Sequence, residues 1–160
     1  MFRFAWENKV HVVTVDQLPV DGLGSVSVPF LGQSVCAGFP SPADDFLEEA
    51  LGLPRWLVPN PPAAFLWRVA GWSVVGAGIH DGDIVVVDRS VEPKQDDIVL
   101  AIIDGAASLK RYRLDGNRAV LAFDNPELPA AAIEDISEAA IWGVVTVTLR
   151  LNRPLVRLRR

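Results

Sequence analysis

Apolar and polar positions alternate in short bursts along most of the chain. From Ala63 onward the bursts have strand length, and strands are predicted near 64–70, 84–88, 97–104, 107–114, 118–123 and 141–151. Asp104-Gly105 and Asp115-Gly116 are two-residue hairpin signals, so neighbouring strands are expected to run antiparallel. Before this region, F-P-S-P-A-D-D-F-L-E-E-A-L-G-L (39–53) carries helix signals. Ser41 suits an N-cap, Pro42 the first helical position, and Phe46, Leu47, Ala50 and Leu51 one apolar face ending at Gly52. Residues 1–37 differ again: V-H-V-V-T-V and S-V-S-V-P-F are short β-prone pieces broken by glycine and proline. The pattern predicts a mainly β protein. It has an extended N-terminal arm (1–37) that docks on something else, then one helix leading into a compact antiparallel β domain within 38–160.

Composition narrows the function classes. With 160 residues, half of them hydrophobic, the chain can bury a sizeable core. Net charge is −5, yet Arg150, Arg153, Arg157, Arg159 and Arg160 crowd the last eleven positions. The body is therefore acidic, which argues against direct sequence-specific DNA binding. The basic tail reads either as a solvated terminus or as a contact for phosphate or an acidic partner. The single cysteine, Cys36, excludes an internal disulfide and fits a reducing cytoplasm. No apolar run reaches membrane-spanning length, and no signal peptide is read, so a cytoplasmic protein without a membrane partner is expected.

Two residues stand out chemically. Ser73 lies in G-W-S-V-V, where a strand breaks into a tight turn; an exposed hydroxyl beside free N–H groups has the parts of a nucleophile with an oxyanion site. A helix-capping serine fits the same place. Lys110 lies on the predicted strand S-L-K-R-Y-R-L, sharing a face with Ser108, Tyr112 and Leu114, while Arg111 and Arg113 are expected in solvent. Facing an apolar layer, its amine loses hydration and its pKa falls toward the roughly 7–8 a general base needs. An edge lysine that reaches water satisfies the alternation equally well. Other arrangements fail on spacing. There is no G-x-S-x-G, S-x-x-K or phosphate-cradling glycine loop. His11 and His80 with one cysteine make no zinc site, and Asp81 and Asp83 read as turn formers; no metal or cofactor is expected.

The order and spacing of these pieces resemble the self-cleaving Ser-Lys peptidases of the bacterial DNA-damage (SOS) response, the LexA-type repressors and the UmuD-like proteins. The likeness runs from about Val35 to Arg150: V-C-A-G-F-P-S-P-A-D-D resembles the cleavage segment, G-W-S-V-V the nucleophile motif, G-I-H-D-G-D-I-V-V-V-D the following turn and strand, and S-L-K-R-Y the lysine strand. It implies a LexA/signal-peptidase-like β fold, Ser73 as nucleophile, Lys110 as general base, and a scissile bond between Ala37 and Gly38. It further implies a homodimer, a RecA filament on single-stranded DNA as promoter of cleavage, and a UmuC-like Y-family polymerase subunit as partner of the truncated product. Trp72 and Val74 depart from the acidic or small polar residue and the methionine usual around the serine. Two other expectations fit the same residues: a non-catalytic dimeric module in which Trp72 closes the site, and a repressor-type regulator lacking its DNA-binding half.

Overall fold

The computed structural model describes residues 24–31, 47–128, 132–133 and 140–152. They form nine strands: β1 (Ser25–Leu31), β2 (Leu47–Pro54), β3 (Ala64–Arg68), β4 (Ile84–Asp88), β5 (Ile98–Ile103), β6 (Ala106–Asp115), β7 (Arg118–Ala122), β8 (Ala132–Ile133) and β9 (Ala140–Leu149). The sheet order is β2-β1-β3-β4-β9-β5-β6-β7-β8, and every pairing is antiparallel except the single parallel bridge Phe30–Leu66 between β1 and β3. The expected mainly β, antiparallel class is what the chain adopts.

Alternation explains the core. Phe65, Trp67, Val85 and Val87 pack on one side of β3 and β4 with Leu31, Val74, Ile79, Leu100 and Leu109. Ala64, Leu66, Ile84 and Val86 pack on the other with Val28, Leu53 and Val58. Because β4 is covered on both faces, it reads as the unbroken apolar run I-V-V-V. A third cluster of Val99, Ala101, Leu121 and Val144 lies where β5, β7 and β9 meet. Asp104 and Gly105 both take positive φ, as a two-residue hairpin turn requires. The next hairpin shifts by one position: Asp115 pairs with Arg118, so Gly116 and Asn117 make the turn, with positive φ at Gly116 alone.

The expected helix is corrected. Its second half, Leu47–Pro54, is β2, laddered from Ser25–Pro54 to Leu31–Leu47, and no α-helix occurs among the described residues. Exposure along Ala50–Pro54 alternates with period two, Leu53 being the deeply buried position. Backbone pairing with β1 satisfies this segment better than the helical stripe does, a case of tertiary context overriding propensity. Ser41 and Pro42 lie outside the described residues. The described piece of the arm, β1, docks on the chain's own sheet, burying Val28 and Leu31 between β2 and β3.

Candidate active site

Ser73 lies in the connection from β3 to β4. Its base is closed by Val69 N–H donating to the Asp83 carbonyl (2.8 Å) and Gly82 N–H to the Val69 carbonyl (2.9 Å). The Asp81 carboxylate accepts from Gly71 N–H (2.8 Å), where φ is +89°. The buried Asp83 carboxylate accepts from His80 N–H and from Arg150 Nε (both 2.8 Å) and Nη2 (2.6 Å). Arg150 Nη2 also donates to the Gly78 carbonyl. The Arg150 bonds hold Asp83 below the usual carboxylate range against the cost of its burial. Asp81 and Asp83 thus fix the turn, as expected. Arg150 leaves the solvated tail group and clamps the end of β9 to this loop.

Val74, 1% exposed, anchors the serine segment in the core. A 3-10 turn follows at Val75–Ala77, and Ser73 itself is half-buried. Among the described residues, the amides of Ser73 and Val74 donate to no protein acceptor. Trp72 is 60% exposed, so it is not packed into the core beside Val74.

Lys110 lies on β6 and is only 5% exposed, between β5 and β7. Its partner across β5 is the fully buried Val99. Nζ donates to Ser108 Oγ (2.5 Å), has a longer contact to the Leu109 carbonyl (3.5 Å), and stands 4.2 Å from the centre of the Phe123 ring. Burial pushes this amine below the ordinary lysine value. The edge lysine reaching water is ruled out. Arg111 is corrected: its guanidinium is tucked against the Asp124 carboxylate and the Asp96 carbonyl, not in solvent. Arg113 is exposed as expected.

The serine loop and the lysine strand converge on Phe123–Asn125. Asp124 N–H donates to the Ser73 carbonyl (2.8 Å), and the Asp124 carbonyl accepts from Gly76 N–H (2.7 Å). Asn125 Nδ2 donates to the Trp72 carbonyl (2.7 Å). A Cβ at Gly76 would stand 2.5 Å from Asp124 Oδ1 and 2.9 Å from its carbonyl oxygen, so only glycine allows this approach. From the other side, the Asp124 carboxylate grips Arg111 and the Phe123 ring faces Nζ. The Ser73 loop, through Asp124 and Asn125, and Lys110, through Phe123, thus meet consecutive residues of one short stretch, although no hydrogen bond joins Oγ of Ser73 to Nζ among the described residues.

Ser108 is the residue that sequence reasoning left without a role. Its position two before the lysine, on the same strand face, was the available signal. Nothing local marked Phe123, Asp124 or Arg150, whose partners are distant along the chain. Ala37, Gly38, Cys36 and His11 lie outside the described residues. Among those described, no group of three His, Cys, Asp or Glu could hold a metal ion, and no helix is long and apolar enough to cross a membrane. A separate cleft of about 440 Å³, lined by Arg89, Ser90, Tyr112 and Trp142 among others, includes neither Ser73 nor Lys110.

The Peptidase S24-like family model matches residues 29–146, which takes in the serine loop, the lysine strand and the segment between them. The chain belongs to this family. Among its relatives is Protein SamA of Salmonella typhimurium, 37% identical over 142 residues, covering 89% of this chain and 96% of that protein. Protein ImpA of Escherichia coli is 39% identical over 145 residues, covering 89% and 98%. The LexA repressor of Mycobacterium sp. is 37% identical over 151 residues, covering 92% of this chain but 63% of the repressor. The resemblance read from the motifs is thus borne out at the level of the family.

Proposed function

We propose that this S24-like chain is an autopeptidase of the SOS response, with Ser73 as nucleophile and Lys110 as general base, cutting its own Ala37–Gly38 bond. The observation that carries the reading is the buried Lys110 amine, held by Ser108 and facing Phe123, the residue just before the Asp124 that holds the Ser73 loop. A lysine kept from water reaches its neutral form at lower pH, and a neutral amine can accept the Ser73 proton. The Ser73 oxygen then attacks the Ala37 carbonyl, and the amides of Ser73 and Val74, which donate to no protein acceptor among the described residues, are the donors assigned to the developing oxyanion. Lys110 returns the proton to the departing Gly38 nitrogen. Water, deprotonated by the same amine, releases Ala37 from the ester. Ser108 orients Nζ throughout as its hydrogen-bond acceptor.

The wider role follows from likeness to the UmuD-like and LexA-type proteins. A RecA filament on single-stranded DNA favours the cleavable position of the arm, and the truncated homodimer serves a UmuC-like Y-family polymerase subunit.

Incubating the purified protein at alkaline pH, or with activated RecA, is expected to yield the mass of residues 38–160. Ser73→Ala and Lys110→Ala are each expected to abolish it. Persistence of only the full-length mass under both conditions contradicts the reading, and unchanged cleavage in either variant contradicts the roles.

A further inference from the structure

We propose that the groove between β2 and β3 is a strand-acceptor site, and that β1 stays seated in it, non-covalently, after the chain is cut in the connection between β1 and β2. The occasion for such a cut is the self-cleavage reading, since Ala37–Gly38 falls in that connection, but the test below does not depend on it.

The arm is not a loose appendage where it meets the sheet. β1 ladders along β2 from Ser25–Pro54 to Leu31–Leu47, and the pairing extends one step further through Arg55 N–H donating to the Gly24 carbonyl (2.8 Å). On its other edge Phe30 bridges to Leu66 of β3, and its ring lies 5.8 Å from the Arg68 guanidinium. Val28 is fully buried in the cluster with Leu53, Val58 and Leu66. Leu31, 3% exposed, belongs to the other main cluster, with Phe65 and Trp67. One short strand therefore contributes to both cores.

The sheet order adds a topological reason. β2 ends the sheet, and its only ladder partner among the described residues is β1. If β1 left, β2 would lose that ladder, and apolar side chains of Leu53, Val58 and Leu66 would lose their cover. A cut between the strands breaks one covalent link but none of these contacts. Another extended segment that takes the place of the arm would restore the same ladder and cover, the recognition mode of strand addition.

The experiment uses the full chain in a Ser73→Ala background, with a site-specific protease recognition sequence replacing residues 34–40. After complete cutting, size-exclusion chromatography and native mass spectrometry are expected to show both fragments together in equal amounts. A labelled peptide spanning residues 24–33, added in excess, is expected to exchange into the complex. Val28→Asp places an unpaired carboxylate in the core and is expected to speed arm release by at least about tenfold. Should that variant fail to fold before cutting, Val28→Ala, which removes only part of the buried surface, is expected to speed release to a smaller degree. Separation of the wild-type arm from a folded large fragment overturns the proposal, as does equal retention of the Val28 variants or pairing of two large fragments with the arm lost. Because the cut is made by an added protease, failure here is distinct from failure of Ser73 and Lys110 to cleave.

Discussion

Ser73 and Lys110 are held by opposite means. The lysine sits on a regular strand between two others, and its surroundings follow from register: Val99 across β5, Ser108 two residues back on the same face, Phe123 just beyond β7. The serine sits in an irregular loop held by Asp81 and Asp83 of the same connection and by the distant Arg150, Asp124 and Asn125. A strand position tolerates changes elsewhere because the whole ladder fixes it. A loop position inherits every error in its tethers. Damage on the lysine side should therefore alter protonation, whereas damage on the serine side should alter geometry.

The sharpest test of the geometric half is Gly76→Ala. Its Cβ cannot coexist with the Asp124 carboxylate and carbonyl at 2.5–2.9 Å, so the loop must move away from the lysine strand. Self-cleavage is expected to slow by about a hundredfold, the scale set by misplacing a reacting group by an ångström. A rate within twofold of the parent would show that the Asp124 contact does not position the serine.

Next comes Arg150→Ala, which strands the buried Asp83 carboxylate and frees the Gly78 carbonyl. The melting temperature and the cleavage rate are expected to fall together. They should fall well beyond the effect of Arg113→Ala, whose pair with Asp96 is exposed and long at 3.9 Å. Asp83 also predicts an acid dependence. Its folded pKa lies below the ordinary 3.8, so the stability from this pair is complete above that value and is lost as pH falls through the folded pKa. Arg150→Ala should flatten the stability curve there; parallel curves for variant and parent would remove the clamp from the account.

On the lysine side, Ser108→Ala removes the acceptor that holds Nζ. Cleavage is expected to drop by about tenfold, with melting nearly unchanged and Ser108→Thr restoring most of the rate. Loss of rate in Ser108→Thr equal to that in Ser108→Ala would reduce Ser108 to packing. The smallest effect is expected from Phe123→Leu. The ring favours the charged amine, so its loss should move the rise of the pH–rate profile to lower pH, opposite to a loss of burial. A shift to higher pH would mean that Phe123 acts mainly by excluding water.

The same contrast explains what could be read beforehand. The strands β3 to β7 and β9 were legible because short apolar bursts and Asp-Gly turns are local signals, and Lys110 inherited its burial from them, whereas the two-residue β8 (Ala132–Ile133) lay in a segment read as loop. The sign of burial for Arg111 was not legible, because its partner Asp124 lies beyond the next hairpin. The helix expected over 39–53 failed in its second half for a similar reason. L-E-E-A-L-G-L-P carries both a helical stripe and a two-residue alternation, and only pairing with β1 decides between them. Ser73 was recognisable by motif alone, since nothing near it in sequence names Arg150 or Asp124 as the groups that place its loop.

The account stands on a lysine that gives up its charge more readily than an ordinary one. The chain has three lysines, Lys9, Lys94 and Lys110, so selective labelling of lysine side-chain carbons and titration by NMR can follow each amine. Lys110 is expected to titrate clearly below the ordinary lysine value, with the rise in self-cleavage tracking its deprotonation. A Lys110 that titrates at the ordinary lysine value, or cleavage that rises without regard to it, would contradict the assignment of Lys110 as the base.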